Sequence, residues 1–258
     1  MAIGSGLDGG LRAVLREYVL TLADDELVLG HRDSEWCAFA PLIEEDVAFA
    51  SIAQDEIAHA QMLYGLLPDP SGRGVDALAF GREPRAMRNA VLLERPNGDW
   101  AYSIVRHYVY DIADDLRTAD LLRSGEPLLR TAAERMRREE RYHLEHGATW
   151  LRALAGGGPD ALRRLQAAVD AVARDSFDLF RPLAWEGALV QVGILPQAPS
   201  QHWESFAAAV QAAIAPLGLR FTPERPAPHG REGEHTADLA ELLATMGEVR
   251  HSDPQANW

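Results

Sequence analysis

Two short stretches of the chain have the composition of metal-ligand pairs: Glu56-Ile-Ala-His59 and Glu140-Arg-Tyr-His143. Residues three apart on a helix share a face, so each pair can aim one carboxylate and one imidazole at one ion. Both pairs sit inside apolar stripes. The first is flanked by Phe49, Ile52, Ala53, Ala60 and Leu63, the second by Met136, Leu144, Gly147 and Trp150. A carboxylate in a core-facing stripe is costly unless it is paired or metal-bound. A single Glu-x-x-His is a weak signal, because a helical chain with 9 histidines and many glutamates contains such matches by chance. Its bland reading is a solvated face or a local hydrogen bond.

The repeat strengthens the signal. Glu26 precedes Glu56, and Asp111 precedes Glu140, by nearly the same interval. Glu26 lies among Val19, Leu22, Ala23 and Leu29, and Asp111 follows Ile104 and Tyr108. The chain thus reads acid, helix, Glu-x-x-His twice. That is the order expected when a helical hairpin is used twice in a four-helix bundle holding two metals. The expected ligands are Glu26, Glu56, His59, Asp111, Glu140 and His143. Four carboxylates balance the charge of two divalent ions, and the imidazoles add a neutral nitrogen to each. Such an oxygen-rich set suits iron, with manganese as the alternative, better than the sulfur-rich sites of structural zinc.

Neighbouring residues have blander readings. Asp114 and Asp115 compete with Asp111 as the third-helix ligand; a solvated face is the simple reading for both, and Asp115 could also brace a ligand histidine. Glu139 is expected to face solvent, and His107 and His146 to support the site or the fold rather than to ligate. Trp36, Trp100 and Trp150 read as core or interface anchors, and Cys37 as a small buried hydrophobe. Arg135, Arg137, Arg138 and Arg141 read as a solvated face, with contact to a partner or an anion as the sharper alternative.

These side chains need long helices to position them. Stretches rich in Ala, Leu, Glu and Arg predict helices at about 9–31, 41–66, 99–124, 127–155, 159–180, 200–215 and 235–250. Breaks fall at Pro68 to Gly72, Arg95 to Gly98, Gly156 to Pro159 and Pro223 to Gly233, the last read as an extended loop delivering the final helix. Asp99 is placed to cap one helix, Pro127 to open the next and Gly156 to Gly158 to end it. The expectation is an all-α, ferritin-like four-helix bundle with additional C-terminal helices: one domain over 1–258, its bundle core at about 9–155 and its extension at about 159–258.

Composition narrows the function. The formal net charge of −14 opposes nucleic-acid binding. No apolar run is long enough for a transmembrane helix, and the N-terminal stretch lacks the pattern of a signal peptide. One cysteine allows no internal disulfide, which fits a cytoplasmic location.

Several longer stretches resemble a known family, the C-type subunit (PaaC) of the bacterial phenylacetyl-CoA 1,2-epoxidase. They are Asp24 to Leu29, Ser34 to Cys37 with Ala40-Pro41, Glu45 to Ala48, Glu94 to Ala101, Arg141 to Leu144 and Gly233 to Thr236. The resemblance spans nearly the whole chain. It implies a ferritin-like fold and a subunit of a multicomponent monooxygenase of phenylacetate catabolism. It implies pairing with an A-type subunit that carries the catalytic di-iron site and binds phenylacetyl-CoA. A B-type subunit and a flavin and iron–sulfur reductase complete that assembly, and a homodimer is conceivable in isolation. C-type subunits are usually regarded as structural, and some lack metal ligands, whereas all six are present here. Two other readings therefore stand beside a partner subunit: a stand-alone di-iron oxidase or oxygenase, and a pure scaffold whose six polar residues form a dry network.

Overall fold

The computed structural model describes residues 3–68, 74–225 and 228–253. Four long helices make the bundle. They are α1 (Gly9–Ser34), α2 (Ile43–Leu66), α5 (Trp100–Leu121) and α6 (Pro127–Ala155). Short helices α3 (Val75–Phe80) and α4 (Val91–Glu94) cross between the two hairpins. After the bundle come α7 (Pro159–Asp175), α8 (Glu186–Gln191), α9 (Trp203–Ile214) and α10 (Ala237–Ser252). Among the described residues there is no strand. The fold is all-α, as the residue pattern predicts. That pattern does not predict the short helices α3, α4 and α8; each is only four to six residues long, too short to show a period.

The helix ends follow local chemistry. Asp99 accepts from the Tyr102 amide at 2.9 Å, and Asp8 from the Leu11 amide at 2.8 Å, each closing a free N–H of the first turn. Pro127 is the first residue of α6, and Gly156 follows its last. The predicted helix at 159–180 is α-helical to Asp175 and then tightens into a 3₁₀ turn over Ser176–Phe180. Of the predicted breaks, residues 69–72 lie outside the described residues, as do 226 and 227 in the last loop. A 3₁₀ turn over Gly230–Glu232 interrupts the remainder of that loop.

Within each hairpin, a glycine lets the helices approach. A Cβ on Gly30 would lie 2.9 Å from the Cβ of Glu56 and 3.1 Å from the Ala53 carbonyl oxygen. A Cβ on Gly147 would lie 2.8 Å from Cδ2 of Tyr108. Both close approaches occur within about a turn of a candidate ligand. By contrast α1 meets α5 through polar side chains: Tyr110 with Glu26, Arg117 with Asp25 and His107 with Asp33.

The C-terminal region closes over one side. Arg231 makes two 2.7 Å bonds to Asp25, one to each carboxylate oxygen. Buried Glu94 accepts from the Thr236 amide at 2.7 Å and pairs with His235 Nδ1 at 2.7 Å. These contacts tie the segment leading into α10 to the bundle.

Gly30→Ala is expected to destabilise the protein by about 1–3 kcal/mol, because overpacking at the α1–α2 crossing forces the helices apart. Gly65→Ala, where an added Cβ meets nothing within 4 Å, should cause no loss, since alanine is the better helix former. Denaturant unfolding of the two variants checks the difference.

Candidate metal centre

The motif side chains come from all four bundle helices: Glu26 from α1, Glu56 and His59 from α2, Asp111 from α5, Glu140 and His143 from α6. All six are at most 2 % exposed. They converge. Glu26, Glu56, His59 and Glu140 place one donor atom each within 4.8 Å of one another, and so do Glu56, His107, Asp111 and His143. Glu56 belongs to both groups, as a carboxylate between two ions would.

The outer sides of the histidines are held by carboxylates. His59 Nε2 lies 2.6 Å from Glu139 Oε2, His143 Nε2 3.4 Å from Asp55 Oδ2, and His107 Nδ1 2.7 Å from Asp33 Oδ2. A carboxylate accepts from the ring N–H it faces, which fixes the tautomer and leaves the other nitrogen for the site. The bracing is reciprocal. Asp55, just before Glu56 on α2, holds the α6 histidine; Glu139, just before Glu140 on α6, holds the α2 histidine.

The inner sides have no such partners. Without a hydrogen bond are Glu26 Oε2, both oxygens of Glu56, Asp111 and Glu140, Nδ1 of His59 and His143, and Nε2 of His107. Buried polar atoms are nearly always satisfied, so a concentration of unsatisfied donor atoms facing one another asks for cations. Four carboxylates match the charge of two divalent ions, and neutral imidazoles add none. The donor set therefore fits a metal pair.

Proton affinities describe the same cluster without metal. Burial pushes Glu26 and Asp111 well above the ordinary carboxyl range, and the Glu56 charge adds to the shift of Glu26. Burial, with the Glu56 charge, holds Glu140 at about 7. For Glu56 burial acts upward, but the neighbouring Glu26, His143 and His59 outweigh it and keep the carboxyl well below its usual value. His59 is lowered by burial yet raised more by Glu26 and Glu56, to about 12. His107 behaves likewise, with Asp111 and Asp33 lifting it to about 9. Protons are thus held where metal charge would otherwise sit.

Four expectations need correction. Glu139 does not simply face solvent, since it braces His59. His107 turns Nε2 into the cluster, 3.2 Å from Asp111 Oδ1. Cys37 is exposed, because it follows α1 in the turn before α2. Asp114 is buried instead of solvated, accepting from Arg117 and Thr118 outside the cluster, whereas Asp115 is exposed as its simple reading expects. His146 pairs with Glu45 at 2.7 Å, and Trp36, Trp100 and Trp150 pack on one another. Arg135, Arg137, Arg138 and Arg141 are all exposed. The missed signals were short-range: His107 is four residues before Asp111, and an acid directly precedes each Glu-x-x-His.

Residues 9–258 match the family model described as phenylacetic acid catabolic protein. The chain is also 33% identical over 248 residues to the C subunit of the 1,2-phenylacetyl-CoA epoxidase of Escherichia coli (strain K12), covering 95% of this chain and 99% of that protein.

A divalent ion supplied at 100 times its dissociation constant should stabilise the protein by about 2.7 kcal/mol, measured as a chelator-reversible rise in melting temperature. Asp111→Asn should abolish most of that gain while leaving the metal-free protein no less stable, because it removes a buried carboxyl that has no hydrogen-bond partner. The pH dependence has a definite sign. The folded-state proton affinity of Glu140 is raised from 4.5 to about 7. Its contribution to metal-free stability is therefore full below pH 4.5 and lost as pH rises through 7. Metal must displace these protons, so the metal-induced gain should grow over the same window. Melting curves with and without metal across that range check both.

Proposed function

The chain belongs to the phenylacetic acid catabolic protein family, and we propose on that premise that it is the C-type subunit of a phenylacetyl-CoA 1,2-epoxidase. The end-to-end likeness to the C-type chain of such an enzyme carries this reading. Its partner would be the A-type chain that binds phenylacetyl-CoA and inserts oxygen, with a B-type subunit and a flavin and iron–sulfur reductase completing the assembly. Among the described residues no helix is long and apolar enough to cross a membrane.

Glu26, Glu56, His59, Asp111, Glu140 and His143 would hold the metal pair, iron in the first instance. Bound iron supplies redox chemistry toward O2. The chain's own residues orient the donors, exclude water from them and hold protons at His59, His143 and Glu26 until metal displaces them. The loop before α2 and the start of that helix present Phe39, Leu42, Ile43 and Val47, all more than half exposed. Such an apolar surface is of the kind that a protein partner covers.

A second reading, a stand-alone di-iron oxidase, is favoured by the complete donor cluster. The two part on activity in isolation: the partner reading expects no phenylacetyl-CoA epoxidation by this chain alone, even with iron and the reductase.

Co-expression with the A-type chain should give a complex that survives gel filtration and epoxidises phenylacetyl-CoA. An A-type chain that elutes separately and is fully active without this one would overturn the reading. Val47→Asp combined with Ile43→Asp should weaken the complex at least tenfold without lowering the melting temperature of this chain.

A further inference from the structure

Three imidazoles, not two, turn an unpartnered nitrogen toward the carboxylate cluster, and the third belongs to neither Glu-x-x-His. His107 donates from Nδ1 to Asp33, which is fully buried and lies 3.5 Å from the Arg106 guanidinium. With Nδ1–H committed, the neutral ring carries its lone pair on Nε2. That nitrogen is 3.2 Å from Asp111 Oδ1 and 3.8 Å from Glu56 Oε1, and it has no hydrogen-bond partner. The ring packs edge-on against His143, with centroids 5.6 Å apart.

We propose that His107 is a seventh metal ligand and makes the two metal positions chemically unequal. The inference rests on the reading that the cluster binds a metal pair. One position would have Glu26, Glu56, Glu140 and His59, three carboxylates and one imidazole. The other would have Glu56, Asp111, His107 and His143, two carboxylates and two imidazoles. Nitrogen-rich sites favour ions such as Zn2+ or Co2+ over the harder Mn2+, which oxygen donors suit better. The Asp111 position therefore fills first with Co2+, and a mixture of Zn2+ and Mn2+ loads one of each. In the competing arrangement His107 is a fixed imidazolium between Asp33 and Asp111, a resident cation in place of the second ion.

The test is anaerobic Co2+ titration of the full-length metal-free protein, followed by visible absorption and proton NMR. A histidine bound through one nitrogen keeps an exchangeable N–H on the other, shifted far downfield by the paramagnetic ion. The proposal expects two equivalents bound in separate steps and three such signals, from His59, His107 and His143. His107→Gln should remove one signal and weaken the first, tighter equivalent at least tenfold. Asp33→Asn, which keeps the ligand and disturbs its tautomer, should weaken that equivalent by roughly 10–100-fold. Two equivalents with only two signals would overturn the proposal and leave the metal pair intact. A single equivalent with no His107 signal would overturn it in favour of the resident imidazolium. No Co2+ binding at all would remove the metal-pair reading itself. The signal count uses the unaltered protein, so it decides the matter even if a variant fails to fold.

Discussion

Four carboxylates buried against one another are the constraint on which the bundle depends. Leaving one charge uncompensated in a protein interior costs several kcal/mol. A whole domain is stable by only about 5–15 kcal/mol. The protein cannot carry Glu26, Glu56, Asp111 and Glu140 as bare anions, so cations must enter with them. Protons on the neighbouring histidines and on the carboxyls themselves serve in the metal-free state. Two divalent ions would serve better, because they match the charge and engage donor atoms that otherwise have no partner.

The same problem is solved differently one residue away. Asp24, Asp25 and Glu26 are consecutive, and all three are fully buried. Successive side chains on a helix diverge by about 100°, so each acid meets different surroundings. Asp24 accepts from Tyr64, Arg82 and the Arg88 amide. Asp25 takes Arg117, Arg231 and the Ala90 amide. Glu26 receives one bond, from Tyr110 at 2.8 Å, and otherwise faces the cluster. Two of the acids are closed by fixed guanidinium groups and hold the fold together; the third leaves Oε2 without a hydrogen bond.

That division links the C-terminal region to the site. Arg231, from the segment before α10, grips the residue beside Glu26, and Arg117 on α5 binds the same carboxylate. The α1–α5 contact therefore includes buried charge pairs and hydrogen bonds. The hairpins themselves are drawn close by Gly30 and Gly147, and Asp55 and Glu139 tie one hairpin's histidine to the other. Position and charge are set by the same few contacts.

The sequence alone determined the longer helices and singled out the six motif residues, because both follow from short-range chemistry. A three-residue spacing puts Glu56 with His59 on one face, an acid about thirty residues earlier marks the preceding helix, and Asp99, Pro127 and Gly156 fix helix ends by local hydrogen bonding. Tertiary structure decided what depends on rotation and cross-helix distance. Whether His107 faces the cluster or the core turns on how α5 rolls against α1, and the sequence does not state that angle. That Glu139 braces His59, and that Asp25 rather than Glu26 receives Arg231, are pairings between helices far apart in the chain. Cys37 lies outside the core because the α1–α2 turn carries it there, a matter of chain direction that hydrophobicity does not encode.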